Sequence, residues 1–171
     1  FVNVSSFSVY SNFKLKRKSI LDESCETVEK EYNKIYNSYA FAKNEQDKLI
    51  LEYRERFNYP CVIMRPGSVY GPGAREKITT HIGNKTFGIL LQIGSGNILP
   101  LTYIDNCAEA IVLAGLVKNI DGEIINIIDD EKISNRKFLK LYKRHVFNFK
   151  SIYIPYYLFY WFSIVFENFA K

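Results

Sequence analysis

Two short apolar segments, separated by one long helical pattern, constrain the fold more than any other feature of this sequence. Phe1–Ser5 and Tyr59–Arg65 have the length and composition of buried strands, and a Pro-Gly pair stops the second one. Between them, Tyr39–Phe57 carries apolar residues at helical spacing. A long helical crossover joins parallel strands, whereas antiparallel neighbours need only a tight turn. The order strand, helix, strand therefore predicts an α/β fold with a parallel sheet.

Shorter elements are predicted on either side of the second strand. Asp105 is placed to cap a helix that runs to Val117, and Ser134 can cap a helix that runs through Tyr142. Glu123–Ile128 has the composition of a further buried strand. The remaining helical patterns are Val28–Ile35 and Ile78–Leu91, the second interrupted by two glycines.

The composition excludes several classes of function. With 47% hydrophobic residues among 171, the chain is too apolar for disorder and long enough to form a sizeable core. Its net charge of +5 is not gathered into a block that would indicate a nucleic-acid surface. Neither histidine has a spaced metal-ligating partner, so no metal site is predicted. The cysteines lie far apart, which predicts free thiols in a reducing, cytoplasmic compartment: Cys25, Cys61 and Cys107.

The C-terminal segment Ile152–Phe166 is uncharged and rich in aromatic rings. It is shorter than a usual bilayer span, and Pro155 shortens its helical part further. A buried or interfacial helix is therefore favoured over a transmembrane one. Its Tyr and Trp residues leave peripheral contact with a membrane surface as an expectation.

One Tyr and one Lys stand a helical turn apart at the start of the long helix. Tyr39 and Lys43 are four residues apart, so their side chains share a face. A phenol can take or return a proton in catalysis, and a nearby ammonium favours the phenolate that does so. A second pair, Tyr10 and Lys14, lies where a strand runs into a polar loop, so nothing fixes its side chains on one face. The first pair is therefore the better catalytic candidate.

Three blocks in this order carry a resemblance to a known family. Ser5–Tyr10 reads Ser-Ser-Phe-Ser-Val-Tyr, Tyr39–Lys43 follows, and Arg65–Gly73 reads Arg-Pro-Gly-Ser-Val-Tyr-Gly-Pro-Gly. Together they resemble the C-terminal part of an extended short-chain dehydrogenase/reductase of the NAD-dependent epimerase/dehydratase family, from Phe1 to about Tyr142. The resemblance implies the C-terminal part of a Rossmann-type parallel sheet with a smaller substrate-binding α/β lobe.

The resemblance also implies a division of the chain and a missing part. Residues 1–73 would complete the NAD(P)-binding domain, and residues 74–171 would form mainly the substrate-binding lobe, with about 104–118 packing back on the sheet. No Gly-x-Gly-x-x-Gly fingerprint lies within the chain. We therefore expect a fragment, inactive alone, that lacks roughly 100 residues of βα units including the Gly-rich turn.

Site residues follow from the resemblance, position by position. Tyr39 would be the acid/base, Lys43 its electrostatic partner and a ligand of the nicotinamide ribose, and Ser6 would orient the substrate oxygen. NAD or NADP would contact Tyr39 and Lys43, and further positions of the first and third blocks: Ser5, Pro66, Gly67, Ser68 and Val69.

The family hosts several activities, and the chain departs from one of them. Nucleotide-sugar 4,6-dehydratases carry Thr-Asp-Glu where this chain has Ser6-Phe7-Ser8, so that activity is disfavoured. The resemblance implies an oxidoreductase or epimerase that acts on a hydroxyl or keto carbon of a small molecule, foremost a nucleotide-sugar, and a homodimer at full length. The alternatives are a 3β-hydroxysteroid-type dehydrogenase and a non-catalytic NAD(P)-binding protein of the same fold.

Overall fold

The structure is a computed structural model that describes residues 1–11, 19–28, 38–73, 82–94 and 96–169, with side chains up to residue 164. The chain divides into two compact units, the first formed by Phe1–Val69 with Leu101–Asp129, the second by Tyr70–Pro100 with Asp130–Lys171. Three sequence predictions fall outside the described residues: Lys14, the Val28–Ile35 helix beyond its first residue, and the first part of the Ile78–Leu91 helix.

The described residues form ten strands and four α-helices. The strands are β1 (Val2–Val4), β2 (Val62–Pro66), β3 (Ser68–Tyr70), β4 (Asn84–Thr86), β5 (Ile89–Ile93), β6 (Ile98–Leu99), β7 (Leu101–Tyr103), β8 (Ile124–Ile127), β9 (Ile133–Ser134) and β10 (Ser151–Ile154). The α-helices are α1 (Ser38–Phe57), α2 (Ile104–Leu116), α3 (Asn135–His145) and α4 (Tyr156–Phe169).

A three-stranded parallel sheet forms the core of the first unit. Its order is β1-β2-β8, with Val2 opposite Val62 and Met64 opposite Ile125. The central strand is buried along its whole length, as expected of a parallel strand covered on both faces. A cluster around Val62 and Met64 packs against Cys107 of α2. The predicted parallel α/β arrangement is confirmed.

The long helix α1 has a polar buried face. Its buried residues are Ala40, Asn44 and Asp47, whereas its apolar stripe at Leu49, Tyr53 and Phe57 is more than half exposed. Both buried polar side chains have hydrogen-bond partners: Asn44 Nδ2 donates to the Val28 carbonyl at 3.0 Å, and Asp47 Oδ1 accepts from Asn3 of β1 at 3.0 Å. After Phe57 the chain turns at Asn58, which has a φ of 51°.

The start of α2 differs from the prediction at Asp105. The helix begins at Ile104 after Tyr103, and Asp105 lies in its first turn. The acceptor at this end is Asp129, whose Oδ2 accepts from the Tyr103 N–H at 3.0 Å and whose Oδ1 accepts from Asn106 Nδ2 at 2.9 Å. A carboxylate from the end of β8 thus replaces the local cap that the sequence indicated.

The predicted helix Ile78–Leu91 is wrong over its described residues, which form an antiparallel hairpin. Thr86 of β4 pairs with Ile89 of β5 across the two-residue loop Phe87–Gly88. Both loop residues have positive φ, 49° and 77°, as a two-residue hairpin turn requires. Strand β10 pairs with the other edge of β5 in parallel. A β-carbon at Gly83 would collide with the backbone carbonyl of Leu91, so this position has to be glycine.

Two helices follow in the second unit. Ser134 caps α3 as predicted, since its hydroxyl accepts the Lys137 N–H at 3.3 Å. Helix α4 leaves its described aromatic side chains largely exposed, from Tyr156 at 67% to Phe162 at 71%. Of the two alternatives that the sequence left open, buried or interfacial, the exposure of these side chains excludes the buried one. No helix in the described part of the chain is long and apolar enough to cross a bilayer.

The cysteines are free thiols, as predicted. Cys61 and Cys107 are buried, and burial raises the pKa of both thiols, whereas Cys25 is half-buried. Within residues that the structure describes, no three His, Cys, Asp or Glu side chains gather in a way that could hold a metal ion.

Candidate functional site

The carboxyl ends of β1 and β2 bring the sequence-predicted residues to one edge of the sheet. Ser5 and Ser6 directly follow β1, and Gly67 follows β2. Helix α1 is part of the crossover between these parallel strands, so its first turns lie at the same edge. Crevices at the carboxyl ends of strands are where open α/β sheets bind ligands.

Lys43 is anchored to the end of β1. Its Nζ donates to the Val4 carbonyl at 2.8 Å and to Gln46 Oε1 at 3.2 Å. Tyr39 lies one turn earlier on α1 and is 56% exposed. The ammonium is therefore held at the strand end, while the phenol remains accessible to a bound molecule.

Ser6 has a local structural role at this edge. Its Oγ accepts the Ser8 N–H at 3.2 Å and lies 2.9 Å from the Ser8 hydroxyl, so it caps the short 3-10 helix Phe7–Val9. The residue is half-buried. A hydroxyl that accepts hydrogen bonds keeps a proton that it can donate, so capping and contact with a substrate oxygen are compatible.

The segment after β2 is partly engaged by backbone pairing. Pro66 is the last residue of β2, and the Gly67 N–H donates to the Ile127 carbonyl at 2.9 Å. Ser68 and Val69 begin β3, which pairs with β7, and both are half-buried. The four positions predicted to line a nicotinamide thus lie at the carboxyl end of β2 and in β3, in a segment that backbone pairing holds in place.

Ser5 belongs to a buried polar cluster that the sequence did not reveal. Its hydroxyl donates to Asp47 Oδ2 at 2.9 Å, and Asn3 Nδ2 donates to Asp47 Oδ1 at 3.0 Å. Arg65 reaches the same carboxylate through Nε and Nη2, each 3.1 Å from Oδ2. The Asp47 and Arg65 side chains are only 2% and 4% exposed. The side chain of Ser5 therefore faces the core, and its backbone N–H donates to the Met64 carbonyl at 2.8 Å.

Burial and hydrogen bonding act in opposite directions on this carboxyl group. Burial raises the pKa of Asp47 above its ordinary value, whereas the Ser5 hydroxyl and the Arg65 guanidinium oppose that change. Two signals could have identified the pair. Arg65 is a charged residue within an apolar strand, which demands a partner, and Asp47 lies one turn after Lys43.

The second Tyr-x-x-x-Lys pair has its Tyr committed to the core. Tyr10 is 4% exposed, and its hydroxyl donates to Asn126 Oδ1 at 2.9 Å. The Arg65 guanidinium stacks 4.8 Å from the centre of its ring. Tyr10 is thus a structural residue, which favours Tyr39 as the reactive phenol.

Comparison with known proteins connects this arrangement to a family. Residues 1–127 match the NAD dependent epimerase/dehydratase family. The uncharacterized UDP-glucose epimerase YtcB of Bacillus subtilis (strain 168) is 31% identical over 110 residues, which make up 60% of this chain and 34% of that protein. The match to the family covers all three sequence blocks and the parallel sheet.

Solved structures show the same fold. The UDP-glucuronic acid 4-epimerase of Bacillus cereus in complex with NAD has a TM-score of 0.70 and 25% identity, covering 91% of this chain and 49% of that one. The UDP-glucose 4-epimerase of Thermus thermophilus in complex with NAD has a TM-score of 0.62 and 17% identity, covering 90% and 50%. This chain therefore spans about half the length of these epimerases. By its matched sequence and its Rossmann-type fold, the chain belongs to the NAD dependent epimerase/dehydratase family.

Proposed function

We propose that the protein containing this chain is an NAD-dependent epimerase that acts on a hydroxyl-bearing carbon of a nucleotide-sugar. The observation that carries the proposal is the anchored Lys43 ammonium at the end of β1, one helical turn after an accessible Tyr39. The relatives described above are UDP-sugar epimerases, and the solved ones hold NAD. This support extends to the nucleotide-sugar class and not to a particular sugar.

Tyr39 moves the proton in the proposed reaction. Its phenolate takes the proton from the substrate hydroxyl as the carbon is oxidised, and the phenol returns it when the carbonyl is reduced on the opposite face. NAD, when bound, supplies the acceptor and donor of the hydride. Lys43 is the electrostatic partner of Tyr39 in this step. Ser6 donates a hydrogen bond to the substrate oxygen and orients it.

The donor set of Lys43 fits a nicotinamide ribose. An ammonium carries three N–H donors, of which two go to Val4 and Gln46. One donor is left for a ribose hydroxyl. Four residues at the end of β2 and the start of β3 would line the nicotinamide beside the ribose: Pro66, Gly67, Ser68 and Val69. Ser5 would contact the cofactor through its backbone. The choice of NAD over NADP rests on the relatives. The residues that distinguish the ribose hydroxyl of NAD from the phosphate of NADP follow the Gly-rich turn, and that turn is not within this sequence.

Two exposed apolar surfaces extend the proposal to partners. Leu49, Tyr53 and Phe57 form a stripe on α1 that a second copy of the protein would cover in a homodimer. The exposed aromatic residues of α4 suit peripheral membrane contact of a protein that works in the cytoplasm. The same residues favour a second candidate function, a 3β-hydroxysteroid-type dehydrogenase with a more apolar substrate.

A substrate comparison tests the proposal. The full gene product that contains this chain should be incubated with NAD and, in turn, UDP-glucose, UDP-glucuronic acid, UDP-N-acetylglucosamine and a 3β-hydroxysteroid. We expect an epimer of at least one UDP-sugar by chromatography and no oxidation of the steroid. Steroid oxidation without epimer formation would favour the second candidate. NAD binding without turnover of any of these would leave a non-catalytic NAD-binding protein.

Replacing Lys43 by methionine should weaken both cofactor binding and turnover. Hydrogen bonds to charged groups contribute about 1.5–3 kcal/mol, so a loss of roughly tenfold to a hundredfold is expected in each. The matched control is Lys48→Met on the same helix, since Lys48 forms an exposed pair with Glu45. Cofactor fluorescence titration and steady-state turnover measure the two effects. Equal effects of the two substitutions would rule out the role proposed for Lys43.

A further inference from the structure

The buried carboxylate of Asp47 joins three elements at the back of the proposed site. It lies on α1, accepts hydrogen bonds from Asn3 of β1 and from Ser5 just after β1, and pairs with Arg65 of β2. Asn3 and Ser5 are the two neighbours of Val4, whose carbonyl accepts the Lys43 ammonium. Asp47 therefore holds both residues that flank the acceptor of Lys43.

Gln46 closes these contacts into a ring. Its Nε2 donates to Asn3 Oδ1 at 3.0 Å, and its Oε1 accepts from Lys43 at 3.2 Å. Asn3 in turn donates to Asp47 at 3.0 Å, and Asp47 lies one helical turn after Lys43 on the same helix. Each member of the ring is thus held by another member, which is the arrangement that fixes the position of a flexible lysine side chain.

We propose that Asp47, together with Gln46, is a positioning residue for the reaction: it fixes the Lys43 ammonium at the end of β1 without itself touching substrate or cofactor. This inference rests on the proposed function, since it assigns a task to the supports of Lys43. Small misplacement of a catalytic group is costly, because a shift of about 1 Å can lower a rate by roughly a hundredfold.

A purely structural role would have different consequences. A charged pair that only filled the core would change stability when broken, with turnover per folded molecule intact. A positioning role predicts a change in turnover and in cofactor affinity, with the Michaelis constant for the sugar unchanged, since the sugar does not contact Lys43. These two roles can therefore be separated by kinetics on folded protein.

The test uses two variants of the full gene product. Asp47→Asn keeps the size of the side chain and removes its charge, and Gln46→Met breaks the ring at an exposed residue where folding is not threatened. We expect turnover to fall by roughly tenfold in Asp47→Asn and threefold or more in Gln46→Met, with cofactor affinity falling alongside. Glu45→Gln, between Asn44 and Gln46 on α1, is the control and should change neither by more than about twofold.

Comparison with Tyr39→Phe separates a failure of the positioning role from a failure of the proposed function. If both variants retain turnover and cofactor affinity within twofold while Tyr39→Phe is inactive, positioning is refuted and the proposed function stands. If Tyr39→Phe is fully active, the proposed function itself fails. Should Asp47→Asn not fold, Gln46→Met alone decides.

If no substrate turns over, hydrogen exchange of the Lys43 ammonium, followed by NMR, replaces the rate of turnover as the measurement. It should accelerate several-fold in Gln46→Met, and an unchanged exchange rate would overturn the inference.

Discussion

Replacing Tyr39 by phenylalanine in the full gene product should lower turnover by about a hundredfold or more, because acid/base groups contribute 10²–10⁴-fold to rates. Phenylalanine keeps the ring and removes the proton that is transferred. Tyr39 is 56% exposed, so the substitution costs little packing, and cofactor affinity should stay within about twofold. Turnover at saturating substrate and cofactor titration provide the two measurements.

The matched control for this prediction is Tyr53→Phe. Tyr53 lies on the same helix and is 51% exposed, but it is far along α1 from the strand end. Its variant should retain full turnover. Near-normal turnover of Tyr39→Phe at saturating substrate would exclude Tyr39 as the acid/base. Another tyrosine would then have to be tested for that role.

Arg65→Leu should lower the free energy of unfolding by about 3–5 kcal/mol, the usual cost of breaking a buried ion pair from one side. The substitution leaves the Asp47 carboxylate buried without its countercharge, and it also removes the guanidinium from the Tyr10 ring. Urea unfolding followed by circular dichroism measures the change. The control is Arg56→Leu, whose exposed pair with Glu52 should contribute only about 0.3–0.5 kcal/mol.

A second substitution tests the cause of this loss. Adding Asp47→Asn to Arg65→Leu should recover part of the stability, since an amide tolerates burial better than an unpaired carboxylate. Without Arg65 the pKa of Asp47 rises further, so the folded state binds a proton more tightly than the unfolded state. The loss in Arg65→Leu should therefore shrink as the pH falls. A loss independent of both Asp47 and pH would show that packing, not charge, is the cause.

The sheet and α1 could be predicted because their physical signals are local. A strand buried on both faces is mostly apolar, and a long helical crossover between two such strands indicates that they are parallel. The hairpin β4–β5 could not be predicted, since it depends on Phe87 in a left-handed conformation that bulky residues rarely adopt. The apolar positions on either side fit a helical period equally well.

The candidate site shows the same division. Tyr39 and Lys43 were identified from spacing and family resemblance, and the structure places Lys43 at the predicted strand end. Asp47 was missed because hydrophobic periodicity singles out the stripe of α1 at Leu49 and Tyr53, which faces outward. When the buried face of a helix is polar, its hydrogen-bond partners lie on other elements of the fold. A single sequence does not indicate which residues of those elements contact the helix.

The two compact units are interleaved along the chain, and this order matters for the design of chimeras. The first unit needs Leu101–Asp129, which follows one segment of the second unit and precedes the other. No single continuous exchange can therefore replace the second unit and leave the whole first unit intact. A chimera that replaces the second unit would have to graft residues 70–100 and 130–171 together. Recombination at one crossover would instead separate β8 from β1 and β2, the other strands of its sheet.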